Sequence, residues 1–230
     1  MITVPFHQFE IRFTKILNFN EVINEVIAPF VPMALDIIIE DESLKSLCRY
    51  NLIFEGYNIL ITWDRVLIKL DGELKNLSEN NSIIEEPFFN LFSKIRDLKS
   101  FGNVVNCLCV AVIVNHSGKT KTEILNDFST RFLNMNNVEK IIYKPSDVGL
   151  TLNENNDGKQ ITLTFGPYIG VTDLQNRKIM TQNQEILKHI DILGEMVEIK
   201  IFEILKSVSF AKYKELLKMI IEYQRLLWKM

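Results

Sequence analysis

The chain is 230 residues long, 47% hydrophobic and 24% charged, with a formal net charge of -3. That is an ordinary globular balance, long enough for one large domain or two small ones and for a core that needs no covalent staples. It gives no global basic surface of the kind that dominates non-specific nucleic-acid binding, so nucleic acid is not the favoured partner, although a local basic patch is compatible with these numbers.

Cys48, Cys107 and Cys109 make an odd number of cysteines in a long chain. A disulfide framework is not expected; reduced thiols in a cytoplasmic setting are. No apolar run approaches the length of a membrane span, and the alternating start MITVPFHQFEIRF does not read as a signal peptide. Ile, Asn, Lys and Phe are abundant, as in NLSENN, NMNN and NENN, which points through codon bias to an AT-rich bacterial, phage or mobile-element genome.

Residues 2 to 13 alternate and predict a strand, after which Asn20 is placed to cap a short helix, NEVINEVIAPF, that stops before Pro29 and Pro32. Leu35 to Ile39 reads as a second strand. Leu47 to Leu77 reads as a β-meander, CRYNLIFEG, YNILITW and RVLIKLDGELKNL, with Asp71-Gly72 as a hairpin turn. After the polar loop LSENNS, Pro87 opens a helix through about Ser100, with Phe88, Leu91, Phe92, Ile95 and Leu98 inward. Asn103 to Val114 is a nearly continuous apolar run, expected as a central strand covered on both faces, and a helix from Thr120 to Asn134 follows.

Strands are then expected in KIIYKPSDVGLTL, KQITLTFG and YIGVTDL, broken by the NENNDGK turn. Ile186, Ile190, Leu193, Val197, Ile201, Leu205 and Val208 recur at three-to-four spacing, as do Tyr213, Leu217, Ile220 and Leu227, which predicts an αα-hairpin broken near 207–209. No internal repeat is evident. The expected class is α+β: a mixed or mainly antiparallel sheet with helices packed on one face over residues 1–180, then the C-terminal helical hairpin over 181–230, used for packing or oligomerisation.

Three constellations carry possible chemistry. Between a strand and a helix, CVAVIVNHSGKTKTE imitates a phosphate-binding loop, with Gly118, Lys119 and Thr120 as the candidate residues. The first glycine of that motif falls on Ile113, and the nearest acidic-ended apolar run, Leu35 to Asp41, is a poor Walker-B partner. The bland alternative is that Ser117 or Thr120 caps the helix.

An E-x-K nuclease signature occurs at Glu73-Leu74-Lys75 and, better, in DILGEMVEIK, where Asp191 and Glu198 would hold Mg²⁺ and Lys200 would sit near the attacking water. That requires Glu198 and Lys200 to share one face of a strand at 196–202, and a helix there removes it. Cys107 and Cys109 share a strand face with His116 further on, but a structural metal site wants four ligands, so no metal is expected. Cys48 with His7, His116 or His189 is a conceivable nucleophilic pair.

The C-terminal helix is amphipathic, and Tyr213, Leu217, Ile220, Leu227 and Trp228 are the candidate interface. The same face equally suits the protein's own core. A membrane-surface role fits less well, because the polar face mixes both signs of charge. The expected function is that of a non-enzymatic interaction or regulatory protein, without cofactor, acting by self-association as a homodimer or by binding a partner protein through these helices. The alternatives are an Mg²⁺-dependent nuclease and a degenerate nucleotide-binding protein.

Overall fold

Two long strands form the middle of the molecule: β1, Ile2–Phe13, and β6, Val104–His116. They pair antiparallel with Phe9 opposite Cys109. The computed structural model describes residues 1–40, 48–133 and 147–229. Within them β1 leads to helix α1, Phe19–Ile27, then to strands β2, Asp36–Glu40, β3, Arg49–Phe54, β4, Tyr57–Thr62, and β5, Arg65–Leu70, and to helix α2, Asn90–Arg96. From β6 the chain continues through α3, Lys121–Phe132, β7, Leu150–Asn156, β8, Lys159–Tyr168, the short helices α4, Val171–Asn176, and α5, Gln184–Leu187, then β9, Gly194–Ile204, and α6, Phe210–Leu227.

The nine strands make one sheet in the order β2-β3-β4-β5-β1-β6-β9-β8-β7, antiparallel at every junction. The fold is therefore α+β. It contains an internal repeat that the sequence pattern does not make evident: each half runs strand, helix, antiparallel strands, helix, with α4 and α5 inserted between β8 and β9 in the second, and in each the first strand pairs with the last, β1 with β5 and β6 with β9. The β3–β4 turn of the first half and the β7–β8 turn of the second both have a left-handed glycine, Gly56 at φ +77° and Gly158 at φ +82°, a conformation that favours glycine over residues with a Cβ.

Side chains alternate across each strand, which divides the sheet into two differently covered faces. Phe9, Ile11, Cys109, Ile113, Ile199 and Ile201 point into the main core, where residues of α1, α2, α3 and α6 cover them. An aromatic cluster fills its centre: Phe9 lies 4.9 Å from Tyr213 and 5.8 Å from Phe88 in edge-on contact. On the opposite face Val112, Val114 and Met196 form a smaller cluster with Tyr168, Leu174 and Ile179. The helices are therefore not all on one face, because α4 packs on the second.

The predicted C-terminal hairpin is replaced by the one-turn helix α5, strand β9 and helix α6. Gly194 to Ile204 lies between β6 and β8 inside the sheet, so 181–230 does not form a helical pair. Val197, Ile199 and Ile201 face the core while Glu198 and Lys200 face the other way, a period of two that only a strand satisfies.

Smaller differences have local reasons. Asn18 occupies the N-cap position of α1, one residue before Phe19, so Asn20 lies inside the helix. After Asp71-Gly72 the chain enters a 3₁₀ turn at Lys75–Ser78 instead of a returning strand, with the Gly72 N–H donating to the Val4 carbonyl. YIGVTDL turns at Gly170, φ +100°, and becomes α4, whose Asp173 carboxylate accepts from the Ile169 N–H. Of KIIYKPSDVGLTL, the part before residue 147 lies outside the described residues.

Candidate functional site

The glycine-lysine-threonine loop begins a helix but is already saturated. Thr120 caps α3 by accepting from the Glu123 N–H, and Glu123 reaches back to accept from the Thr120 N–H at 2.8 Å, a complete capping box. Glu123 thus places a carboxylate where a phosphate would sit, over the positive end of the helix. Lys119 is 2.5 Å from Asp127 rather than free for a ligand. Gly118, at φ +69°, serves the turn. Of the run Leu35 to Asp41, Asp41 lies outside the described residues, and Asp36 and Glu40 of β2 are five strand spacings from β6, about 24 Å, too far to serve this loop.

The loop does border a cleft of about 430 Å³ lined by Asn115, Ser117, Lys119, Asp127, Arg131 and Trp228, among others. Its cations are spent on its own anions, Lys119 on Asp127 and Arg131 on Glu195.

The strand required by the E-x-K reading is present, and Glu198 and Lys200 do share a face. They bond to each other, Lys200 Nζ at 2.7 Å from Glu198 Oε1, and Arg177 also pairs with Glu198. Asp191 lies in the turn ahead of β9, and from Gly194 to Glu198 alone the strand advances about 13 Å. No three His, Cys, Asp or Glu side chains converge among the described residues in a group that could hold a metal. The other copy has Lys75 in a 3₁₀ turn instead of a strand.

All three cysteines are buried thiols outside any disulfide. Burial pushes the Cys107 thiol up to about 12 and that of Cys109 higher still, so neither supplies a thiolate at neutral pH. Cys48 precedes β3, three strand spacings or about 14 Å from the β1 strand that carries His7.

The two buried histidines each tie distant segments together. His7 Nε2 bonds the Tyr213 hydroxyl at 2.9 Å, and burial pulls the His7 pKa down to about 4. His116 Nδ1–H donates to the Ile192 carbonyl at 2.7 Å, which leaves Nε2 to accept from the Thr3 hydroxyl at 2.8 Å. Burial, more than any charge, also lowers His116.

The proposed interface on α6 is not at the surface. Tyr213, Leu217, Ile220 and Leu227 are buried in the main core, and Trp228 is half-buried beside the cleft. Ser209 starts the helix by accepting from the Lys212 N–H, aiming its apolar stripe at the sheet.

Exposed apolar surface gathers elsewhere. Val31, Met33, Leu35, Ile38 and Ile39 are all exposed, Leu35 at 72% and Ile39 at 55%, along one segment entering and forming the edge strand β2. Among the described residues β2 pairs only with β3. At the opposite edge, β7 carries LTLNENN and is exposed along nearly all its length, a polar strand that discourages pairing. The periodicity of α6 is visible in the sequence, whereas nothing local in the run VPMALDIII marks it as an edge.

No protein-family model matches this chain, and no curated protein matches it in sequence. Among the described residues, no helix is long and apolar enough to cross a membrane.

Proposed function

We propose that the protein is a non-enzymatic interaction module whose docking site is the edge of β2 that no described strand covers, rather than the C-terminal helix. The observation that carries this reading is the run of exposed apolar side chains that starts in the 3₁₀ turn at Val31–Met33 and continues through Leu35 to Ile38 and Ile39 of the edge strand β2, set against the polar edge at β7. An edge strand offers unpaired N–H and C=O groups to another chain, and neighbouring apolar side chains add area to that pairing. Cytoplasmic residence, read from the reduced thiols, belongs to the same proposal. The nuclease and nucleotide alternatives are disfavoured because their charged groups are already bonded to one another.

Hydrogen exchange along residues 35–40 tests the reading. In dilute purified protein the β2 amides that point away from β3 should exchange quickly, and in concentrated extract of the native host they should slow, an effect lost in Ile38→Glu. Equal exchange rates in both settings would overturn the proposal.

A further inference from the structure

We infer that the occupant of this edge is an extended segment with three apolar residues between two basic ones, added antiparallel as a tenth strand. The inference rests on β2 being the docking site and supplies the partner's chemistry. Asp36, Ile38 and Glu40 share one sheet face, opposite Ile53, Asn51 and Arg49 of β3, while Ile37 and Ile39 share the other. A strand laid along β2 in register therefore meets acid, apolar, acid on one face and two isoleucines on the other. Opposite charges directly across a ladder stabilise it and like charges weaken it, so the complementary strand reads basic, three apolar, basic.

The same registers disfavour a second copy of this chain. A twofold pairing centred on Ile38 sets Asp36 against Glu40 at both ends, and one centred on Ile37 sets Asp36 against Ile38 and Glu40 against Ala34, leaving the acids without partners. Among the described residues the contacts of the two acids are local and solvent-exposed: Asp36 accepts from the Ile37 N–H at 2.7 Å, and Glu40 is 3.5 Å from Arg49. Exposed pairs of this kind are weak and exchange readily for a new cation. The chain already contains a strand of the required pattern, Arg65 to Lys69 of β5, reading RVLIK, paired on both sides within the sheet.

The test uses the full chain and two short labelled peptides with polar ends, one carrying RVLIK and the other EVLIE, with binding followed by fluorescence anisotropy and solution mass by light scattering. The basic peptide should bind at least about tenfold more tightly than the acidic one, less so as salt is raised. Asp36→Lys with Glu40→Lys, both exposed and checked for an unchanged melting temperature, should reverse the preference. Equal binding of the two peptides, or a preference unmoved by the charge reversal, overturns the inference. If neither peptide binds and the protein is a dimer that Ile38→Glu makes monomeric, the occupant is a second copy: this inference fails and the docking reading stands. If neither binds and the protein is monomeric, the inference fails, and the exchange experiment decides the docking reading separately.

Discussion

At the scale of single residues, two buried groups of opposite character lie on the two faces of β1. His7 faces the main core, where burial lowers its pKa from 6.5 to about 4. Between those values the unfolded chain binds a proton that the folded chain does not. The His7 contribution to stability is therefore complete above about pH 6.5 and is lost as pH falls toward 4, by up to roughly 3 kcal/mol, with His116 acting in the same direction. Urea midpoints measured through that range should decline for the native chain and decline less in His7→Leu; identical slopes would assign the titration to other groups. On the other face Arg12 and Arg65 stand directly opposite each other, and buried Glu10 lies 2.5 Å from Arg12 Nε and 3.5 Å from Arg65 Nη1. Glu10→Ala leaves two facing cations without their shared counter-charge and should cost about 1–3 kcal/mol in chemical denaturation. Strand alternation makes visible in the sequence that His7 and Glu10 face opposite ways. It does not reveal that Tyr213, 206 residues on, meets His7, because such a contact is set by packing and has no local spacing.

At the scale of elements, α3 depends on its cap and β9 on its first residue. Thr120→Ala breaks the capping box and should cost about 0.5–2 kcal/mol, whereas Lys119→Ala removes only an exposed pair and should move the melting temperature little. A larger effect from Lys119 would mean that the loop does more than turn the chain. At Gly194 an added Cβ would stand 2.1 Å from the Asn115 carbonyl oxygen, a backbone atom that cannot swing aside. Gly194→Ala should therefore force β9 from β6 and destabilise by about 1–3 kcal/mol or more in the same assay. β9 is also where the sequence pattern is ambiguous. Leu193, Val197, Ile201 and Leu205 recur every four residues, and four is both close to a helical turn and an even number, so they satisfy either period. Ile199 breaks the tie, since it joins the same face only in a strand. The β1, β3, β4, β6 and β8 segments were legible because their alternation or continuous apolarity fits one period alone.

At the scale of the whole molecule, surface and core respond differently to the same change. Ile38→Glu, on the exposed edge, should stay within about 0.5 kcal/mol of the native stability, while Leu217→Glu places a charge in the main core and should unfold the chain at any protein concentration. Both are checked by thermal and urea unfolding; a well-folded Leu217→Glu protein would mean that the α6 face is not core. The repeat had a faint trace in the sequence: Asn51, Gly56, Ile59, Ile61 and Thr62 of the first meander recur at matching spacing as Asn153, Gly158, Ile161, Leu163 and Thr164. It escapes notice because turn glycines and alternating aliphatics are common to most hairpins, and only the shared topology gives them weight. The β1–β6 pairing that joins the halves has a consequence for how the protein withstands dilution. A unit of half this length would have to find a second molecule to complete its sheet, and its assembly would fade as the solution thinned. Here both participants travel on one chain, their effective concentration is fixed by the connection between them, and the seam persists however few molecules are present.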